Sequence, residues 1–485
     1  MDHDVIIIGC GPAGMFLAGD LALAGIDVAI VEKRTTRERP GGRAGGLHIR
    51  TLEILDQRGI ADRFLREGQK HDKVSFHIPL DVSDLPTRHN YLLALHQKHT
   101  ERLLQEWLAS LNVPVYWGIG ISEVSQHPSG VVASTICGEN LKARWLVGCD
   151  GGRSVVRKTC GIAFPGWDAT TSWLIAEASM TEEPVLGFFS DTSGRHAITR
   201  LDDGAKVSLV LAGQGAQANG TPTLSELSCA LTKIYGTDFG VHSPTWLSRF
   251  NDATRQASSY RQGRVLLAGD AAHVHPPFGG QGLNLGLQDA VNLGWKLAQV
   301  VKGISSSALL DTYQSERQPV VARIMRNIIV QRTLREPGDR MAAMQDFVSE
   351  VLATDEVRKR FAAMISGLDV CYESGTHPLI GRRVPDLGIE VGGHRTTVYS
   401  LLHNARGVLI DFAGKTDAGV EASRWANRIT LVEATFDGRW NLPLLGVISP
   451  PSLVLVRPDG YVAWAGNHSE EGLREALNTW FGEPL

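Results

Sequence analysis

Apolar residues recur along this chain in two rhythms, a helical one and a strand-like alternation. Val5 to Ile8 is a short β-branched run, followed by a glycine turn and a helix-like stretch from Met15 to Ala24. Asp27 to Val31 is a second β run ending in Glu32, so the chain opens β-α-β, the start of an α/β nucleotide-binding domain. Leu92 to Ser110 reads as helix. Val113 to Gln126, Val131 to Ile136 and Arg144 to Val147 read as strands, the last running into Cys149-Asp150-Gly151. From about Thr170 to Phe250 the pattern alternates, as in Ala205 to Leu211, and predicts an inserted sheet domain able to cover a substrate. Val265 to Ala268 is again a buried strand, with helices predicted at Gly282 to Val301 and Leu309 to Leu334. Beyond Pro385 lies a separate region with strands at Gly407 to Asp411 and Ser452 to Val456, the turn Arg457-Pro458-Asp459-Gly460, and a helix from Glu471 to Trp480. The expected domains are therefore 1–169 with 251–385, then 170–250 inserted between them, then 386–485.

Length changes this picture little: 485 residues exceed one ordinary core, in keeping with several domains. With 43% hydrophobic and 21% charged residues the chain has a globular composition. A net charge of −4 with no basic block gives nucleic-acid binding no electrostatic support. The six cysteines lack CxxC or zinc spacing and read as free thiols rather than a disulfide framework. The N-terminal apolar run is short and flanked by acids, unlike a signal peptide. No stretch reaches the ~20 apolar residues of a membrane helix, so the expectation is a cytoplasmic monomer or homodimer.

The chemistry concentrates in two glycine-rich segments. Gly9-Cys10-Gly11-Pro12-Ala13-Gly14 follows a strand and opens a helix, the arrangement that brings backbone N–H groups and a helix N-terminus to a pyrophosphate. Glu32, 18 residues past Gly14, ends the second strand where an acid accepts a ribose hydroxyl. This motif alone serves NAD or FAD equally. The second segment separates them: Gly269-Asp270-Ala271-Ala272-His273, then Pro276-Pro277-Phe278-Gly279-Gly280-Gln281-Gly282-Leu283-Asn284. An acid at a strand end suits ribityl hydroxyls, and N–H groups at the following helix start suit the flavin pyrimidine edge. The plainer alternative is a loop with an N-capping Asp. His273 and His275 lack further ligands nearby in sequence and read as packing or hydrogen-bonding groups of this loop, with no metal expected. Trp295 sits at helical spacing and reads as core.

With GCGPAG, the segment Arg43-Ala44-Gly45-Gly46-Leu47-His48, CDGGRSVVR (Cys149 to Arg157) and the run Gly269 to Leu297, the chain resembles class A flavoprotein aromatic hydroxylases. Within them it is similar to bacterial hydroxylases of aromatic polyketides (angucycline and anthracycline type) and to rifampicin monooxygenases. The second likeness rests on Gly236 to Pro244 and Trp246 to Phe250. The resemblance covers essentially the whole length. It implies a Rossmann-like FAD-binding domain of the p-hydroxybenzoate hydroxylase type, an inserted β-sheet substrate domain and a thioredoxin-like C-terminal domain. No cysteine follows Cys371, so thiol redox chemistry is excluded from that last domain.

The resemblance also implies FAD-binding roles for Gly9, Gly11, Ala13, Gly14, Glu32, Lys33, Arg43, Gln97, Ile121, Asp150, Asp270, Pro277, Gly280, Gly282, Leu283 and Asn284. Arg43 matches an arginine that reaches the pyrophosphate beside a mobile isoalloxazine, and Asp150 with Arg153 matches a motif tied to both FAD and NADPH. Cys10 departs from the small residue usual in relatives and adds an oxidisable thiol. With a single GxGxxG, NADPH or NADH is expected as a transient co-substrate. The implied reaction is hydroxylation of a polycyclic phenol by O2 through a flavin C4a-hydroperoxide, with no side-chain acid or base assigned. A rifamycin-inactivating monooxygenase, a flavin reductase or oxidase of the same fold, a nicotinamide dehydrogenase and a non-catalytic FAD-binding protein are the alternatives.

Overall fold

The computed structural model describes residues 1–485 except 39–40, 43, 192–193, 202–203, 214, 216–219, 337, 415–420, 468–471 and 485. Five parallel strands form its centre: β1 (His3–Ile8), β2 (Val28–Glu32), β3 (Val115–Trp117), β4 (Asn140–Gly148) and β5 (Val265–Leu267). They lie in the order β3-β2-β1-β4-β5, so the direction of winding reverses between β1 and β4. Such a reversal leaves a crevice at the strands' carboxyl ends where open α/β sheets take their ligands. Gly9 follows β1 there, Cys149-Asp150 follow β4, and Gly269-Asp270 follow β5.

Helix α1 (Pro12–Leu23) carries apolar residues on every side and is accordingly buried almost all round. It packs between the sheet, α2 (Gln97–Ser110) and α3 (Gln281–Val301). Its one acid, Asp20, is buried and takes both Nε and a terminal nitrogen of Arg58, at 2.6 and 2.9 Å. Burial raises its carboxyl, and the Arg58 charge and its two-pronged bond offset part of this.

Three expectations are corrected. Leu92–Ala94 is a strand, paired with Gly46–Leu47 and Gln69–His71, and the helix starts only at Gln97, where the His96 side chain caps it. The run Val113 to Gln126 breaks after β3, because Gly118 turns at φ +77°, and resumes as Ile121–His127. The third concerns a helix that the pattern did not place: Leu224–Tyr235 backs the five-stranded antiparallel sheet of the strand-rich inserted region. Thr223 and Glu226 form a reciprocal capping box there, a T-x-x-E signal legible in the sequence. The final helix spans Leu473–Phe481, and its expected start at Glu471 falls outside the described residues.

The C-terminal domain is built on a four-stranded mixed sheet in which Gly407–Asp411 pairs parallel with Ile429–Glu433 and antiparallel with Leu453–Val456. The Arg457-to-Gly460 turn reaches out of it into the first domain. Arg457 donates to Glu316 on α4 (Asp311–Thr333) at 2.5 and 2.9 Å and to Asp459 at 3.1 Å. Lys296 of α3 donates to the same Glu316 at 2.7 Å, and Trp295 Nε1 donates to Asp459 at 3.1 Å. Trp295 is a core residue, packed between Trp480, Phe481 and this cluster. Burial pushes the Glu316 carboxyl up, but the Arg457 and Lys296 charges outweigh it and hold it down to about 2. Burial also brings Lys296 down to about 8.

Removing one partner strands buried charge, so Arg457→Ala should cost about 3–5 kcal/mol in chemical unfolding. A loss below about 1 kcal/mol would show the cluster to be a passive feature of the domain contact. Glu316 is depressed in the folded state, so its contribution is complete above its ordinary 4.5 and is lost as pH falls towards about 2. Stability should therefore fall between pH 5 and 2.5 more steeply in the native chain than in Glu316→Gln, as read from urea midpoints.

Candidate flavin site at the strand-order reversal

The first loop is built by close approach. Gly9 has φ +108°, and a Cβ there would collide with the Cys149 carbonyl oxygen, while one on Gly14 would collide with the Gly9 carbonyl. Gly11 differs: a Cβ there meets nothing, so its face looks into open space at the N-terminus of α1. Cys10 is fully buried, and burial pushes its thiol up to about 12. It stays protonated, which removes the thiolate that oxidation requires.

Glu32 accepts from the Cys10 backbone N–H at 2.7 Å and from that of Arg34 at 3.0 Å. Burial raises its carboxyl, and these two backbone bonds with the Arg34 charge bring it below the usual range. Lys33 is exposed at the strand end. Arg34 instead turns inward: it donates to the Cys10 carbonyl at 2.8 Å, pairs with Glu32 and Glu101, and lies over the Trp117 ring. Gln97 accepts from the Ala44 N–H at 3.2 Å and donates to Glu101 at 2.7 Å, which joins this network to the 44–48 segment. Ile121 lies in the main hydrophobic core. Arg43 falls outside the described residues.

The second loop converges on the first. Asp270 is exposed, in a short 3-10 turn at the end of β5. Its Oδ1 lies 4.0 Å from where a Gly282 Cβ would be, beside the His275 ring. Gly280 is the N-cap of α3 at φ +65°, with no side-chain cap, so the first N–H groups of that helix are left for another acceptor. Pro277 is exposed just before it. The Asn284 side chain is fully used: it accepts from His48 N at 2.8 Å and donates to the Gly46 and Gly280 carbonyls at 3.2 and 2.7 Å. Its side chain thus ties the two segments together and leaves only its backbone to a ligand. His48 donates from Nε2 to the Gly279 carbonyl at 2.8 Å, and burial drives its imidazole down to about 4, so it is neutral.

Behind this loop sits Asp289, which the motif analysis did not single out. It accepts from the Gly269 N–H at 3.1 Å, from His273 Nε2 at 2.7 Å and from Arg317 Nε at 2.9 Å, all buried. Burial raises its carboxyl, and the His273 and Arg317 charges more than offset this. Asp150 uses Oδ2 to accept from Val155 and Val156 N–H groups, while its buried Oδ1 has no partner among the described residues. Arg153 is exposed. The inserted sheet closes over these loops. Trp173 stacks on Phe250 at 5.3 Å and 7°, and meets Phe278 edge-on at 5.8 Å.

Taken together, an open face at Gly11, an Asp150 oxygen without a partner among the described residues, an exposed Asp270 carboxylate and an uncapped helix start fit FAD, from its pyrophosphate to its pyrimidine ring. No group of metal-ligand type was found among the described residues, and no described helix is long and apolar enough to cross a membrane.

Comparison with known proteins agrees with that fit. Residues 2–328 match the family described as FAD binding domain, and residues 377–484 match the family described as aromatic-ring hydroxylase, C-terminal. The chain therefore belongs to the FAD-binding aromatic-ring hydroxylases, and it is an FAD-dependent monooxygenase with NAD(P)H as reductant. It is 41% identical over 492 residues to rifampicin monooxygenase of Streptomyces venezuelae, covering 99% of this chain and 98% of that one. It is 39% identical over 512 residues to 12-dehydrotetracycline 5-monooxygenase/anhydrotetracycline 6-monooxygenase of Streptomyces rimosus subsp. rimosus, covering 100% of both. Among solved structures it is similar to CabE, an aromatic hydroxylase from angucycline biosynthesis, with TM-score 0.92, 39% identity and both chains covered completely.

If Asp270 holds ribityl hydroxyls, Asp270→Ala should raise the FAD dissociation constant at least about tenfold, since hydrogen bonds to a charged group are worth about 1.5–3 kcal/mol. Its circular dichroism should be unchanged. A variant that purifies as yellow as the native chain would remove Asp270 from the site.

Proposed function

We propose that this monooxygenase hydroxylates a flat, polycyclic phenol of the polyketide type, bound between the 170–250 sheet and the flavin loops. The observation that carries this is the aromatic inner face of the inserted sheet. Trp173 stacks on Phe250 there and meets Phe278 of the flavin loop edge-on, and the Trp246 ring lies against Gly41. From Trp173 to Glu177 the strand advances four residues at about 3.3 Å each, a span of ~13 Å that suits several fused rings rather than one. The similar proteins named above, which act on rifampicin, on tetracycline precursors and in angucycline biosynthesis, support the same class.

In this reading Gly9, Gly11, Gly14, Glu32 and Arg34 hold the ADP half of FAD, with Ala13 as packing. Asp270 holds the ribityl chain, the N–H groups of Gly282, Leu283 and Asn284 face the pyrimidine edge, and Gln97, Asp150, Gly280 and Pro277 shape the surround. Bound FAD supplies the redox chemistry that makes an electrophilic oxygen from O2 at the expense of NAD(P)H. The protein's own task is to orient the ring and keep water out. Trp173 and Ile175 are only 8% and 6% exposed, so the roof is already closed over this part of the site.

The test is NADPH oxidation by the FAD-loaded protein with anhydrotetracycline, a rifamycin, alizarin and simple monocyclic phenols, under 18O2 with mass spectrometry. Polycyclic phenols should accelerate NADPH use and gain one labelled oxygen. Preference for a rifamycin would point to antibiotic inactivation. Stimulated NADPH use without label would contradict oxygen insertion and favour a reductase or oxidase, and turnover of monocyclic phenols alone would contradict the substrate class.

A further inference from the structure

The hydroxylation of a phenol releases the phenolic proton, and no acceptor was legible in the sequence. We propose that Glu177, oriented by His96, is that acceptor, an assignment that rests on the polycyclic-phenol reading above.

Strand alternation places Trp173, Ile175 and Glu177 on one face of Ser172–Met180, while Leu174, Ala176 and Ala178 pack on the Leu224–Tyr235 helix. Because Trp173 touches Phe278, the face that also carries Glu177 is the one turned to the flavin loops. Glu177 is registered opposite Trp246 and Ser208 on the neighbouring strands. Trp246 covers Gly41, and His96 Cε1 lies 3.2 Å from where a Gly42 Cβ would be. His96 precedes Gln97, which holds Ala44. Glu177 and His96 thus meet where the sheet domain closes on the segment leading into residues 44–48. This is the polar end of a roof whose other end, at Trp173, is aromatic.

The tautomer decides between the two. His96 Nδ1 accepts from the Lys98 N–H at 3.4 Å as the cap of α2, so its proton sits on Nε2, which faces Glu177 Oε1 at 3.5 Å. The imidazole has no free lone pair to offer without giving up the cap. The carboxylate can only accept. At 3.5 Å the two groups stand in ion-pair range, and catalytic contacts of this kind tighten when substrate arrives.

The Trp246–Gly41 and Trp173–Phe278 contacts hold the roof.

The step balances. As a ring carbon takes up the electrophilic oxygen as hydroxyl, the phenolic O–H bond breaks. Its electron pair becomes the second bond of a ring carbonyl, and the proton passes to a Glu177 oxygen. Loss of the ring C–H proton to water then restores aromaticity as a phenolate, Glu177 returns its proton to that oxygen, and the proton shed to water goes into the second oxygen atom of O2 as it leaves as water. Net, one O2 and one NAD(P)H with a proton give the hydroxylated ring, NAD(P)+ and water.

The experiment compares FAD-loaded native protein, Glu177→Gln and Glu177→Asp from pH 6 to 9. The probes are alizarin, a planar tricyclic phenol whose colour reports its ionisation, and anhydrotetracycline. The readouts are the probe dissociation constant and labelled product formed per NADPH consumed. Glu177→Gln should bind the probes within about threefold of native. At pH 6 it should yield about 100-fold less product, within the usual worth of a positioned acid or base. The deficit should shrink as pH rises and the phenol ionises unaided, and Glu177→Asp should recover part of the yield. Native-like yield at pH 6, or an equal deficit at every pH, overturns the assignment and leaves the substrate reading intact. Failure of the native protein to oxygenate either probe overturns both.

Discussion

The site depends on one steric constraint, the seating of the Ala13 methyl against two glycines. A Cβ at Gly269 would come within 3.1 Å of the Ala13 Cβ, and one at Gly286 within 3.2 Å. Bare backbone at those two positions lets α1 and α3 approach closely. Two segments about 255 residues apart in the chain then face one crevice. The Gly9-to-Gly14 loop arrives on α1 and the Gly269-to-Asn284 loop on α3, so their spacing is set by helix packing rather than by loop conformation. Interiors are dense enough for a shift of a few tenths of an ångström there to be felt at both loops.

Asp289 turns that packing into a fixed loop. Three donors converge on its carboxylate, and two of them, the Gly269 N–H and His273, belong to the Gly269-to-Asn284 loop itself. The third, Arg317, also donates to the Tyr372 hydroxyl at 3.2 Å, and Tyr372 packs on Tyr461 at 4.3 Å. A buried polar path therefore runs from the loop to the Arg457-to-Gly460 turn of the C-terminal domain. That domain presses a charged turn into α3 and α4, the helices that hold Asp289 and Arg317.

What was legible in the sequence was local. The β-α-β opening, the glycines whose spacing reflects close approach, and the strand-to-helix run from Gly269 to Asn284 all follow from short-range pattern. The period-two region that forms the five-stranded sheet did so too. The strand Leu92–Ala94 was not, because its partners at Gly46 and Gln69 supply the hydrogen bonds that override a helix-like composition. The inward turn of Arg34 beside the exposed Lys33 was not legible, since its partners Glu101 and the Cys10 carbonyl lie far along the chain. Asp289, His48 and the His96–Glu177 pair were out of reach for a plainer reason. Each acts through a partner tens to hundreds of residues away, and a single sequence carries no distance between them.

The close approach at Ala13 is tested most directly by a mutant cycle read through FAD affinity. Gly286→Ala should weaken FAD binding, and adding Ala13→Gly to the same chain, which removes the opposing methyl, should restore it, the signature of two contacting residues. Native-like affinity in Gly286→Ala, or a loss that Ala13→Gly leaves unchanged, would contradict the claim that this helix contact sets the flavin site.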